Sequence, residues 1–218
     1  MARCGKRAGD GGAVLIPNII HVSETGSTNS DLLAQARAGA PEGSWLYADT
    51  QTAGRGRQGR VWSSPLGNLY ASTLVRLREG DPLAPTLALL AGVALWDALH
   101  AIAPAIPFQL KWPNDVLVGG AKIAGILLER EGDAVVIGIG VNLAHYPDGL
   151  ERPVTSLSAL DVTSPSPATV ISNLAQSITA RLAHWRTAPL TELLTEWQSR
   201  AHPIGTPLTA NGLSGTFA

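Results

Sequence analysis

The chain has 218 residues, 45% of them hydrophobic and 15% charged, with sixteen basic against seventeen acidic side chains for a formal charge of −1. At this length a globular chain buries roughly 70% of its unfolded surface, and that apolar content excludes whole-chain disorder. The near-neutral balance provides no global field for nucleic acid, and the single cysteine, Cys4, excludes an internal disulfide and a multi-cysteine metal site.

Residues 1–12 are rich in Gly and Arg and read as loose, and Val14 to Val22 reads as a first strand. Arg3, Lys6 and Arg7 ahead of the apolar stretch Ala13 to Ile20 leave a secretory signal as an alternative. That stretch is short and broken by Pro17, so the chain reads as cytoplasmic. Ser27-Thr28-Asn29-Ser30 offers N-cap side chains for a helix that Gly39, Pro41 and Gly43 end. Trp45 to Ala48 is a short strand running into a Gly/Arg loop from Gln51 to Arg60. Leu69 to Leu77 is β-rich and bounded by Gly67-Asn68 and Glu79-Gly80.

Thr86 to Ile102 is apolar almost all round and predicts a buried helix. The uncharged run Pro82 to Trp96 is fifteen residues long, short of the ~20 a bilayer span needs, so no membrane partner is expected. Strands follow at Phe108 to Trp112, Ile123 to Arg130 and Ala134 to Val141, with a Gly119-Gly120 turn and a Gly132-Asp133 hairpin signal. Val170, Leu174, Ile178, Leu182 and Trp185 recur at helical spacing over 168–186, and Leu190 to Arg200 predicts another helix. A small β segment begins near Ile204. The hairpins make the sheet mixed, and the fold class is α+β.

The sharpest local feature is Gly54-Arg55-Gly56-Arg57-Gln58-Gly59-Arg60. Glycine lets backbone N–H groups approach a ligand, and arginine supplies a permanently charged fork for carboxylate or phosphate. The run suits an anionic small molecule; a solvated basic turn and a nucleic-acid-binding Arg/Gly run remain open. Lys111-Trp112-Pro113-Asn114-Asp115 puts a lysine and a carboxylate at a strand's edge, or is a plain surface turn. Lys122 either snorkels to solvent or sets an ammonium over an anion. Gly125 in its strand hints at close approach by a ligand or another backbone; Gly138 and Gly140 before Asn142 lower the wall height at a strand end, or are plain sheet packing. Five histidines show no metal-ligand spacing.

Together and in this order, these segments resemble the biotin protein ligases. The matching blocks are 27–29, 51–62, 64–70, 111–115, 122–129 and 138–142, spread over about residues 19–200. The resemblance implies a class II aminoacyl-tRNA synthetase/biotin ligase-like mixed sheet with helices. It also implies ATP-dependent activation of biotin to biotinyl-5′-AMP, then transfer to a lysine of the biotin carboxyl carrier protein of acetyl-CoA carboxylase. Biotin-binding positions carried over are Ser27, Thr28, Asn29, Gln51, Gly54, Arg55, Arg57, Lys122, Gly125, Gly138 and Gly140. Adenylate positions are Arg57, Arg60, Trp62, Asn114, Lys122 and Asn142, with Trp62 packing near the adenine. Lys122, Arg57, Lys111 and Asp115 are the catalytic candidates, and Lys122 is the leading one. Mg²⁺ is expected with the ATP, with Asp115 as its candidate ligand.

The expected organisation is a loose leader at 1–18, a catalytic domain at 19–200, and a partial or reduced SH3-like β domain at 201–218. The short stretch ahead of the first strand leads to an expectation of no DNA-binding domain and no DNA partner. Monomer and homodimer both remain open. Alternative functions are a non-catalytic biotin or adenylate binder and a lipoate or octanoate ligase of the same fold.

Overall fold

The computed structural model describes residues 18–150, 152–210 and 213–217. The readings for residues 1–17, including the loose leader, Cys4 and the start of a strand at Val14, lie outside the described residues. In chain order the elements are β1 (Ile19–Thr25), α1 (Thr28–Arg37), β2 (Trp45–Gln51), β3 (Leu69–Arg76), α2 (Leu87–Ile102), β4 (Phe108–Lys111) and β5 (Asp115–Val118). β6 (Ala121–Glu131), β7 (Ala134–Val141), α3 (Pro167–Thr187), α4 (Leu190–Ser199), β8 (Pro207–Ala210) and β9 (Leu213–Thr216) complete them. The first strand therefore runs three residues past Val22. The short strand β5 was not among the expected elements.

Seven strands form one mixed sheet in the order β1-β2-β3-β7-β6-β5-β4, and β8 and β9 pair by themselves. β1 and β2 are parallel because α1 crosses between them, and every other pairing in the large sheet is antiparallel. The β6–β7 hairpin turns at Gly132, whose φ of 59° is one that glycine adopts without steric cost.

Strand alternation divides the molecule into two layers. On β7, Val135, Ile137, Ile139 and Val141 join the main core with Leu90, Val93 and Leu99 of α2 and Val170, Leu174 and Ile178 of α3. The intervening Ala134 and Val136 pack under Leu32 and Ala36 of α1 on the opposite face. Residues 84–102 are long and apolar enough by composition to cross a membrane. The uncharged run of fifteen residues ends before Asp97, and one aspartate does not disqualify the longer stretch. In the fold this stretch is a core helix, and Asp97 accepts hydrogen bonds from Arg181 of α3 and from Arg200, just beyond α4.

One irregularity in β6 decides what reaches the other face. Asp115 pairs with Gly125 but Leu117 pairs with Lys122, so Ile123 is an extra residue, with a register shift at Val116/Leu117. Paired residues share a face, so this bulge puts Lys122 on the same face as Gly125, three positions away, where regular alternation would oppose them. Ile123 and Ala124 both enter the main core.

Candidate functional site

The sheet face that α1 covers at one end is open at the other, where a cavity of about 300 Å³ lies over the strands. Its neutral polar end is the start of α1. Ser27 occupies the N-cap position, but its side chain makes no capping bond. Gln51, at the end of β2, fills that role: its Oε1 accepts from the Thr28 backbone N–H at 2.9 Å and from the Thr28 hydroxyl at 3.2 Å. Beneath them the fully buried Ser72 hydroxyl donates to Asn29 Oδ1 at 2.6 Å and lies 2.8 Å from Thr28 Oγ1. Asn29 Nδ2 donates to Glu129 at 2.7 Å. The side chains of Thr28, Asn29, Gln51 and Ser72 are all hydrogen-bonded to one another or to Glu129, which holds their rotamers in place.

The Gly/Arg run is a short ribbon folded over the cavity. Trp62 N–H donates to the Gly54 carbonyl at 2.9 Å, Gly56 N–H donates to the Arg60 carbonyl at 2.7 Å, and Arg55 bridges Val61. Gly54 is needed for closeness: a Cβ there would stand 2.6 Å from the Trp62 carbonyl and 2.8 Å from Ser64 Oγ. Gln51 Nε2 reaches Ser64 at 3.1 Å, so the polar end and the ribbon are joined. Arg55 donates to Ser30 at 2.8 Å and to Glu129 at 3.1 Å. Arg57 donates to Asn114 Oδ1 at 3.1 Å, and Arg60 donates to Gln58 at 3.0 Å.

The cationic end is built on β5 and β6. Lys122 is 7% exposed and its ammonium hydrogen-bonds Asp115 Oδ1. Burial pulls its pKa below the ordinary lysine value of 10.5; Asp115 opposes that shift, and the nearby Arg152 and Arg60 add to it. Lys111 and Asn114 border the same cavity. Asn114 is locked to β6, donating from Nδ2 to the Ile126 carbonyl at 2.6 Å and accepting the Ile126 N–H at its own carbonyl at 2.9 Å.

The glycine floor lies under the protein's own side chains. Asn29 covers Gly138. The Trp62 indole covers Gly140, where a Cβ would approach it to 2.5 Å, and also Gly125, at 3.0 Å. The Lys122 ammonium sits 5.3 Å from the indole centroid, and Trp62 Nε1 is buried with no hydrogen-bond partner among the described residues. Asn142 stands apart from the main cavity, in a small adjoining recess with Pro147, Leu150 and Val154. Its side chain donates to the Thr155 carbonyl at 3.0 Å.

Four contributors carry no assigned role in the sequence, although Asn68 and Glu129 fall within the matching blocks 64–70 and 122–129. Ser72 reads as one more residue of a buried strand, and Glu129 as a strand end. Asn68 reads as a turn residue. Its Oδ1 accepts the backbone N–H groups of Leu143, Ala144 and His145 at 2.9, 2.9 and 3.0 Å, which ties the loop after β7 to the start of β3. Arg152, on that same loop, lies 3.8 Å from Asp115 and lines both the cavity and the recess.

The donors do not make a metal centre. Among the described residues no group of three or more His, Cys, Asp or Glu side chains is placed to hold an ion. Asp115, the candidate magnesium ligand, is committed to Lys122 and faces Arg152. The site does not fit a resident metal.

The site is thus a mixed sheet with a Gly/Arg ribbon over a cavity that has a glycine floor, a neutral polar end and a cationic end. Residues 24–142 match the model of the Biotin/lipoate A/B protein ligase family, and the chain belongs to that family. It is 40% identical to the biotin–[acetyl-CoA-carboxylase] ligase of Mycobacterium tuberculosis over 84% of this chain and 71% of that protein. It is 38% identical to the bifunctional ligase/repressor BirA of Bacillus spizizenii over 94% of this chain, and spans 66% of that longer protein. The structure of the Aquifex aeolicus biotin protein ligase in complex with biotin and ATP superposes with a TM-score of 0.80 at 30% identity, covering 91% of this chain and 85% of that one.

Proposed function

We propose that the chain activates biotin with ATP and transfers the biotinyl group to one lysine of a biotin carboxyl carrier protein, that of acetyl-CoA carboxylase. The carrying observation is the polarity of the cavity: neutral hydrogen-bonding groups at Thr28, Asn29 and Gln51 at one end, and Lys122, Lys111 and Arg57 at the other. Biotin has the complementary polarity, a neutral ureido head and a carboxylate tail. The M. tuberculosis relative is named for this reaction, and the A. aeolicus neighbour holds both substrates.

In the first step a biotin carboxylate oxygen attacks the α-phosphorus, the bond from that phosphorus to the bridging oxygen breaks, and pyrophosphate leaves with the electron pair. Two anions must meet, and the Lys122 ammonium stabilises the charge that gathers on the carboxylate and phosphate oxygens. Arg57, braced by Asn114, holds the α-phosphate, and Arg60 adds charge at the rim. Ser27, Thr28, Asn29 and Gln51 hold the ureido head, with Gly54 and Arg55 closing over it. Gly125 and Gly140 give the fused rings room once Trp62 has swung aside to pack beside the adenine, while Gly138 lets Asn29 lie against the sheet at the ureido end. Asn142 meets the nucleoside in the recess. In the second step the lysine amine of the carrier attacks the anhydride carbonyl, AMP departs, and the amine loses a proton.

The ribbon keeps water from the anhydride, whose hydrolysis wastes ATP. Magnesium enters as the ion carried by the triphosphate, not as a bound ion of this chain. The reaction's need for ATP fits a cytoplasmic setting. The test is ATP–pyrophosphate exchange with biotin, lipoate and octanoate in separate reactions, which needs no carrier. Exchange with biotin alone is expected. Exchange with lipoate or octanoate instead, or with none of the three from folded protein, would reject the reading.

A further inference from the structure

Lys122 is paired on one side with β5 and on the other with a segment far along the chain. Its backbone N–H donates to the Pro153 carbonyl at 2.9 Å, and its carbonyl accepts from Thr155 N–H at 2.9 Å, an isolated parallel bridge to Val154. Those two bonds fix residues 153–155 against the lysine that ends the cavity, and so they set the position of Arg152 immediately before them. Asp115 stands between the two cations. Its Oδ1 takes the Lys122 ammonium, and its Oδ2 faces Arg152 Nη1 at 3.8 Å. That separation is an electrostatic contact, too long for a hydrogen bond. The Arg152 side chain is 44% exposed, against 9% for Lys122. It belongs to both the main cavity and the recess containing Asn142, Pro147 and Leu150.

We propose that Arg152 is the residue that binds the pyrophosphate end of the triphosphate, and that this is separate from the work of Lys122 at the carboxylate and α-phosphate. The assignment rests on reading the cavity as an adenylation site. A nucleotide whose base enters the recess and whose α-phosphate meets Lys122 runs its remaining phosphates along the rim, where Arg152 is solvated and able to turn. Its planar fork matches two phosphate oxygens, and its fixed charge offsets what accumulates on the leaving pyrophosphate as the bond to the α-phosphorus breaks. Asp115 holds the guanidinium near the site before the nucleotide arrives, and the missing hydrogen bond makes its release inexpensive. Arg55, Arg57 and Arg60 lie on the covering ribbon, hydrogen-bonded to Glu129, Asn114 and Gln58.

Biotin-dependent ATP–pyrophosphate exchange with the full chain tests this, comparing the parent with Arg152→Gln and Arg152→Lys. The KM for ATP and the KM for pyrophosphate should both rise about tenfold in Arg152→Gln, as for loss of a charge-assisted contact. The KM for biotin and the melting temperature should stay at parent values, and Arg152→Lys should recover part of the loss. Unchanged KM values for ATP and pyrophosphate would overturn the assignment. So would a raised biotin KM with reduced kcat, which would make Arg152 a support for Lys122. An effect confined to the KM of a carrier protein in the transfer step would point to a docking charge and would also overturn it. Absence of exchange in the parent is a different outcome, since it removes the adenylation reading itself.

Discussion

The same strand builds two different environments on its two faces. Val135, Ile137, Ile139 and Val141 of β7 meet α2 and α3 in a close-packed core, whereas Ala134, Val136, Gly138 and Gly140 pass from a floor under α1 to a floor under the cavity. On one face every position is large and β-branched. On the other, side-chain size falls to nothing toward the start of α1, where Asn29 lies against Gly138. The pocket arises from removing side chains along an otherwise ordinary strand, with the opposite face carrying the stability. Binding chemistry and fold stability are thereby separated across the thickness of one sheet.

That separation can be broken from the site side first. Lys122→Gln should lower adenylate formation by about 10²–10³-fold, the scale of removing one preorganised electrostatic contact, with the melting temperature near the parent's. Exchange kinetics together with thermal unfolding check it, and near-parent turnover would remove Lys122 from its role. The loop that joins the two faces comes next. Asn68→Ala leaves three backbone N–H groups without their acceptor, at a cost of about 1–3 kcal/mol. Urea unfolding should register that loss, and hydrogen exchange should quicken at 143–145. From the core side, Ile137→Val should cost about 1 kcal/mol of stability and leave exchange activity unchanged. A loss of activity there would mean that the faces are coupled.

The smallest effect is on pH dependence. On the role proposed for Lys122, its ammonium is the active form, so activity should fall as pH rises through its pKa. Burial, helped by Arg152 and Arg60, lowers that pKa, so the basic limb should fall below the ordinary lysine range. Removing the Arg152 cation raises the Lys122 pKa, so the limb should move to higher pH in Arg152→Gln. A limb that moves the other way would contradict the electrostatic account.

Most of the scaffold could be read along the chain, because helices such as 168–186 and strands such as Ala134 to Val141 carry their periodicity locally. The Gly/Arg ribbon and the glycine floor were also visible, being unusual residues at short spacing. The bulge at Ile123 was not, because a bulge depends on what the partner strand pairs with and leaves no local mark. It nonetheless decides that Lys122 faces the cavity. The strand Asp115–Val118 was hidden by the Pro-Asn-Asp turn ahead of it, which made the following four residues look like loop. The roles of Ser72, Glu129, Asn68 and Arg152 were unreadable for a related reason, even though Asn68 and Glu129 sit in matching blocks. Each acts across a gap of tens of residues, so its role exists only after the sheet has formed.

The indole of Trp62 has a kinetic consequence. It rests on Gly140 and Gly125, so a ligand that lies on that floor competes with a part of the chain tethered in place. Capture is then a sequence of events: the ring leaves, and the ligand enters. Observed association rates should level off with rising ligand concentration at the frequency with which the ring departs.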